Sequence, residues 1–338
     1  MILTSYDDNK NYDLGYLCKL RDWIPLDKLS FENISENISN NHNAIRLLEQ
    51  HPEMIDWWNL SQNHNAISIL EKHKDKIHWS QLSENPSAIC LLEKNQDKID
   101  WKHLSLNTNA IHILEKNLDK VCWNNLSRNP TACYLLEQNI NKINWYNLTN
   151  ENYAAIYLLE KCEDDINCWY ELSGNPGAIQ LLEKNIEYVD WGNLSTNPNA
   201  VHLLEQNPDM IDWESISLNM NPDAIRLIEQ NPDKLDWISW DDLSSHPSAI
   251  HLLEQNLDRI DWDQLCCNPN AIHILEQNQN MINWKKISVN PAIFEYDYKA
   301  MRDRMRPLAE DLIANRFHPR NFEKWLGWGF DECQECEF

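Results

Sequence analysis

A glutamate, a tryptophan and one freely varying residue recur at fixed offsets along this chain, and each row could carry chemistry or recognition. The glutamates are Glu49, Glu71, Glu93, Glu115, Glu137, Glu160, Glu183, Glu205, Glu229, Glu254 and Glu276. Two carboxylates work as acid and base when they converge to about 5–9 Å in an asymmetric pocket. Equivalent groups on stacked helices stand about 8–10 Å apart and symmetrically, so this row does not read as catalytic. It falls late in its helix, where the macrodipole disfavours negative charge. Each glutamate is therefore expected to hydrogen-bond outward, to an amide of the neighbouring unit or to a nearby Lys.

The aromatic row runs Phe31, Trp57, Trp79, Trp101, Trp123, Trp145, Trp169, Trp191, Trp213, Trp237, Trp262 and Trp284. Such a row could stack bases or sugars. Its fixed offset from an apolar Leu favours packing between units, with each indole N–H finding a carbonyl or carboxylate. Trp58 and Trp240 lie off the row and are the expected exposed aromatics.

The third row occupies the position of Cys90, and its members do not obey the repeat. Arg46, His112, Tyr134, Tyr157, His202, Arg226, His251 and His273 are its recognition-type side chains and form the candidate interaction surface. The competing explanation is that exposed positions simply drift. The histidines stand a unit apart without a third ligand, so no metal site is expected. Cys333-Gln-Glu-Cys336 is a lone pair of thiols with no second pair. Arg302, Arg304, Arg306, Arg316, Arg320 and Lys324 form the one basic cluster and read as a solvated face. No phosphate loop, Ser-His-Asp order or HExxH motif occurs. Neither an enzyme nor a cofactor is expected.

These rows are positioned by a unit exemplified by Asn85-Pro-Ser-Ala-Ile-Cys-Leu-Leu-Glu-Lys-Asn-Gln-Asp-Lys-Ile-Asp-Trp101, which restarts at Asn107, Asn129, Asn175, Asn197, Asn221, His246 and Asn268. Asn85 can cap a helix whose first position suits Pro86. Ala88, Ile89, Leu91 and Leu92 make one apolar arc of about 160°, and Cys90 lies opposite it. Asn95 suits a left-handed C-cap. Asp100 can cap a second, shorter helix, and the weaker caps His78, Cys122 and Cys168 break that rule. The unit is a helix of about ten residues plus one of about five, and neither can bury its face alone. Seven of the eleven intervals between row aromatics are 22 residues, and the extra lengths fall in turns at 38–41, 150–153, 167, 218–220 and 238–240. The fold class is all-α, an α-solenoid of about twelve short helix-pair repeats. It divides into an N-terminal cap over 1–28, the repeats over 29–291 and a helical C-terminal cap over 292–338.

The 53 acidic side chains outnumber the 29 basic ones, for a net charge of −24. Such a surface repels phosphate backbones and anionic lipid, so neither nucleic acid nor membrane is an expected partner. Self-repulsion favours a soluble monomer. The first residues lack a signal-peptide core, and no run of about 18 apolar residues occurs. Secretion is not expected, and the ten scattered cysteines fit buried or incidental thiols.

The repeat, together with the ending Asn290-Pro-Ala-Ile-Phe-Glu-Tyr-Asp297 and His318-Pro-Arg-Asn-Phe-Glu-Lys-Trp-Leu-Gly-Trp-Gly329, resembles a family of repeat proteins of mimivirus-like giant DNA viruses. The resemblance covers roughly residues 28–330. It implies a viral origin, a location in host cytoplasm or virion and a solenoid-like fold, and it transfers no active site. With it, the chain reads as a non-enzymatic scaffold binding a host or viral protein through one face. The alternatives are a structural component of the virion or viral factory, and a recruiting subunit of an enzyme complex.

Overall fold

The computed structural model describes residues 18–36, 42–161 and 168–311. The part of the expected N-terminal cap before Cys18, the part of the expected C-terminal cap beyond Asp311, and Cys333 and Cys336 lie outside the described residues. The chain forms two compact units, Asp22–Ile293 and the combination of Met1–Arg21 with Phe294–Phe338.

Within the larger unit the all-α expectation of twelve short repeats holds. Repeat 4 shows the design. Its first helix, Trp101–Leu104, opens at Asp100, whose carboxylate accepts the amides of Lys102 and His103 at 3.0 and 3.1 Å. Burial raises the Asp100 pKa, but the His103 amide and side chain and the Lys102 amide outweigh it, and the carboxyl ends below its usual value. His78, Cys122 and Cys168 make no such side-chain bond, as their chemistry predicts. The second helix, Ile111–Glu115, buries Leu114, and Ala110 and Leu104 of the same repeat are fully buried as well. Each such leucine contributes about 1.5–3 kcal/mol through loss of apolar surface to water.

Two local details differ from the sequence reading. The expected ten-residue helix is shorter, because a 3-10 turn over Pro86–Ala88 precedes the α-helix Ile89–Glu93. The Ala88 amide closes back on the Asn85 carbonyl at 3.1 Å, and i→i+4 bonding begins only beyond it. Asn95 is not left-handed, since its φ is −133°. It ends the helix through its side chain, with Nδ2 donating to the Leu91 carbonyl at 2.8 Å.

Repeats are joined by two buried polar ladders. Ser83 Oγ donates to the Trp79 carbonyl at 2.7 Å and accepts the Asp100 amide of the next repeat at 3.0 Å. Asn107 is wholly buried, with Nδ2 donating to the Ser83 and Asn85 carbonyls of the preceding repeat at 3.0 and 2.9 Å. Its Oδ1 accepts the Asn109 amide at 2.9 Å, so the N-cap read from the sequence is also the inter-repeat rung. The sequence holds no leucine-rich-repeat asparagine pattern, yet helices here build an asparagine ladder of their own. Because every rung is satisfied, the polar groups cost nothing by burial and fix the register between repeats.

The ladder also corrects the alignment. The Trp slot of repeat 10 is held by Trp240, not Trp237. Ser239 caps the helix Trp240–Ser245, its amide reaches Ser217 Oγ at 3.1 Å, and Ile238 fills the buried slot two residues before the Trp. Trp237, in the copy Asp233-Lys-Leu-Asp-Trp237, stands 71% exposed. The helix in register with the ladder takes precedence over the linear motif, and eight of the eleven intervals then equal 22. Asn219, rather than Asn221, is likewise the rung of repeat 9, bonding to the Ser195 and Asn197 carbonyls. Trp58 is 47% exposed, as expected.

Periodicity alone does not reveal that the two ends of the series meet. The Ser30 amide donates to Ser288 Oγ at 2.8 Å, the same bond that joins Asp100 to Ser83. Asn33 Nδ2 donates to the Lys285 carbonyl at 2.7 Å, as Asn125 does to Lys102 at 2.8 Å. Lys28 lies over the Trp284 ring, as Lys120 lies over Trp101. Repeat 1 is therefore docked on repeat 12 through the repeat's own junction, and the unit is a closed ring. Twelve equal steps through a full circle turn about 30° each. First helices approach one another more closely than second helices do, so the first helices form the inner layer and the second the outer.

In the smaller unit, β1 (Cys18–Leu20) and β2 (Phe294–Tyr296) pair antiparallel with Lys19 opposite Glu295. Glu295 meets Lys19 at 3.4 Å and Arg21 at 3.3 Å. The helix expected in the C-terminal segment runs over Tyr298–Asp311.

Candidate interaction surface

The candidate residues all fall on the outer, second helices, and most point back along the ring to the glutamate of the preceding repeat. His112 Nε2 lies 3.1 Å from Glu93, His202 Nε2 2.9 Å from Glu183, and His273 Nε2 2.8 Å from Glu254. His251 Nδ1 is 3.4 Å from Glu229, and Arg226 is 3.3 Å from Glu205. The Tyr157 hydroxyl is 3.5 Å from Glu137. Tyr134 stands 63% exposed. Arg46 lies in the helix His42–Gln50, but its side chain is outside the described residues.

This geometry resolves the glutamate row. At Glu93, Glu137, Glu183, Glu205, Glu229 and Glu254 the partner is the varying side chain of the next repeat, not a backbone amide, and the lysine alternative occurs at Lys72 and Glu49, 3.0 Å apart. Exposed pairs of this kind contribute about 0–1 kcal/mol each. They hold side chains in place without committing them.

The tryptophans are half-buried, and what covers them comes from the neighbouring 3-10 turn. Lys98, Lys120 and Lys142 sit 4.5–4.6 Å from the ring centroids of Trp79, Trp101 and Trp123. Arg259 covers Trp240 in the same manner, and Tyr188 stacks on Trp169 at 5.2 Å. Trp240, expected from the sequence to be an exposed aromatic off the row, is instead half-buried in it, and its Nε1 donates to the Leu235 carbonyl.

A second varying row escaped the sequence reading. It is the position after each row aromatic, on the inner helices, and it carries Tyr146 and Tyr170 on successive repeats at 61% and 64% exposure. It continues through Gly192, Glu214, Asp241 and Asp263. The signal that could have found it was the same freedom from the repeat that singled out Cys90. The longer apolar arc of the second helix makes its free position legible, whereas the first helix is too short to define one.

Two ladder positions carry unusual chemistry. Cys266 replaces the rung serine, is fully buried, and burial pushes its thiol up to about 11. His246 replaces the rung asparagine, with Nδ1 accepting the Ser248 amide at 3.1 Å and Nε2 lying 3.0 Å from the Asn219 carbonyl. Both groups serve packing. Among the described residues no group of His, Cys, Asp and Glu side chains could hold a metal ion, and no helix is long and apolar enough to cross a membrane.

Fold and surface together define a closed all-α repeat protein. No family model, curated protein or solved structure matches the chain.

Proposed function

We propose that this chain is a non-enzymatic protein-interaction scaffold of a large DNA virus, working in the host cytoplasm on a host or viral protein. The observation that carries the reading is a division of labour. Residues fixed by the repeat, such as Asn107, Ser83, Leu104 and Ala110, are buried in packing and ladders. Recognition-type side chains stand exposed on the rows the repeat leaves free. Tyr contributes large contact area at little conformational cost, which suits it to interfaces.

The test is a photo-crosslinking residue placed at Tyr146, Tyr134 or, as a control, Asp97 in the 3-10 turn, in infected cells. A discrete protein crosslinked from Tyr146 or Tyr134 and not from Asp97 is expected. The same smear from all three positions would overturn the reading.

A further inference from the structure

We infer that the inner-helix row of repeats 6–11 is a docking track for an extended basic segment of a partner protein, carrying Lys or Arg at about every third residue. The inference rests on the scaffold reading and specifies its partner.

Tyr146 and Tyr170 stand exposed at equivalent positions of adjacent repeats. Further along the same row come Glu214, Asp241 and Asp263, all exposed. The adjoining positions add Glu171 and Asp242, both part-exposed. Across these six consecutive repeats neither position carries a Lys or Arg; the nearest on the row are Lys102 in repeat 4 and Lys285 in repeat 12. Glu171, Glu214 and Asp241 make no ion pair among the described residues. The surface is thus aromatic at one end and anionic at the other, with cations missing from both.

The chain itself shows what an aromatic ring here accepts, because lysines from neighbouring turns lie 4.5–4.6 Å over Trp79, Trp101 and Trp123. A cation over an exposed ring contributes about 0.5–1 kcal/mol, and more when it is desolvated. Packed helices stand about 8–10 Å apart, and an extended chain advances about 3.3 Å per residue. One repeat therefore matches about three residues of an extended ligand. A second copy of the chain, at net charge −24, would repel this row, and so would nucleic acid.

The test uses the full chain at about physiological salt. One labelled peptide consists of Arg-Gly-Ser triplets, one per repeat across the track. A second has the same composition with its arginines in a single block. Binding is followed by fluorescence anisotropy. The spaced peptide is expected to bind about tenfold tighter than the blocked one. The double variant Tyr146→Ala/Tyr170→Ala should reduce that affinity about tenfold, and Glu214→Lys/Asp241→Lys by more. Both variants alter exposed side chains, and unchanged circular dichroism would verify their fold. Equal affinity for the two peptides would show charge attraction without register and overturn the inference. No binding of either peptide would overturn it as well. If a discrete protein is still crosslinked from Tyr146 in that case, the scaffold reading survives alone. If none is crosslinked from Tyr146 or from Tyr134, both fall.

Discussion

The Ser30 amide and Ser288 Oγ, 258 residues apart in sequence, are joined at 2.8 Å by the kind of bond that links neighbouring repeats elsewhere at 2.9–3.2 Å. Ser288 Oγ also donates to the Trp284 carbonyl at 2.8 Å. Ser83 makes the equivalent pair of bonds in the interior of the series. Ser288→Ala and Ser83→Ala should therefore cost similar stability, about 1–2 kcal/mol each, since either leaves a part-buried amide unpaired. Urea denaturation measures both, and hydrogen exchange at Ser30 should accelerate in Ser288→Ala alone. If Ser288→Ala is silent while Ser83→Ala is not, repeats 1 and 12 are not joined in solution.

Much of the repeat was legible because its residues declare themselves locally. Asn85 and Pro86 mark a helix start, Asp100 marks another, and Leu91 and Leu92 mark the buried face. Closure was not legible, because Ser30 and Asn33 look like any other polar residues until Ser288 and Lys285 stand beside them. Nothing in a period states its accumulated rotation. The Trp237 misassignment has a similar origin. Asp233-Lys-Leu-Asp-Trp237 differs from Asp97-Lys-Ile-Asp-Trp101 only by Leu for Ile, but register is set by the rungs Ser217 and Asn219 in the preceding repeat. The surface was half legible. The exposure of the outer row follows from the apolar arc opposite it, while the inner row containing Tyr146 and Tyr170 sits on a helix too short to show a face by periodicity.

Gly177 compensates for an irregularity one repeat earlier. Most repeats carry a longer residue here, and Asn109, Asn199 and Asn270 donate from it to the preceding Pro carbonyl at 2.9–3.0 Å. Repeat 6 has Asn152-Tyr153-Ala154 in place of Asn-Pro, and the Tyr153 carbonyl oxygen lies 1.8 Å from where a Cβ at residue 177 would sit. Backbone must shift to admit even a methyl group. Gly177→Ala should lower stability by about 1–3 kcal/mol, the usual range for overpacking. Gly174→Ala is the control, because its Cβ would meet nothing nearer than 3.7 Å and alanine favours the helix. Thermal melts should rank Gly174→Ala at or above the wild type and Gly177→Ala below it. An unchanged melt for Gly177→Ala would refute this account of the glycine.

His246 makes the ladder sensitive to pH. Its Nδ1 accepts the Ser248 amide, so that nitrogen carries no proton, and the remaining proton on Nε2 serves the Asn219 carbonyl. Burial is the largest influence and pushes the pKa down, and the carbonyl hydrogen bonds only partly restore it. A histidine in the unfolded chain titrates near 6.5. Above about pH 6.5 the ring is neutral in both states, and the rung's full contribution is present. As pH falls below that value the unfolded chain binds a proton that the folded ring resists, so stability declines. The slope cannot exceed about 1.4 kcal/mol per pH unit for one proton. Protonation of Nδ1 would also turn the acceptor of the Ser248 amide into a donor and break the cap. His246→Asn restores the side chain used at Asn107 and removes this dependence. Urea midpoints for the two proteins should diverge progressively between about pH 6.5 and 5, above the range where ordinary carboxylates titrate. Parallel curves across that window would show that His246 is not the neutral rung described.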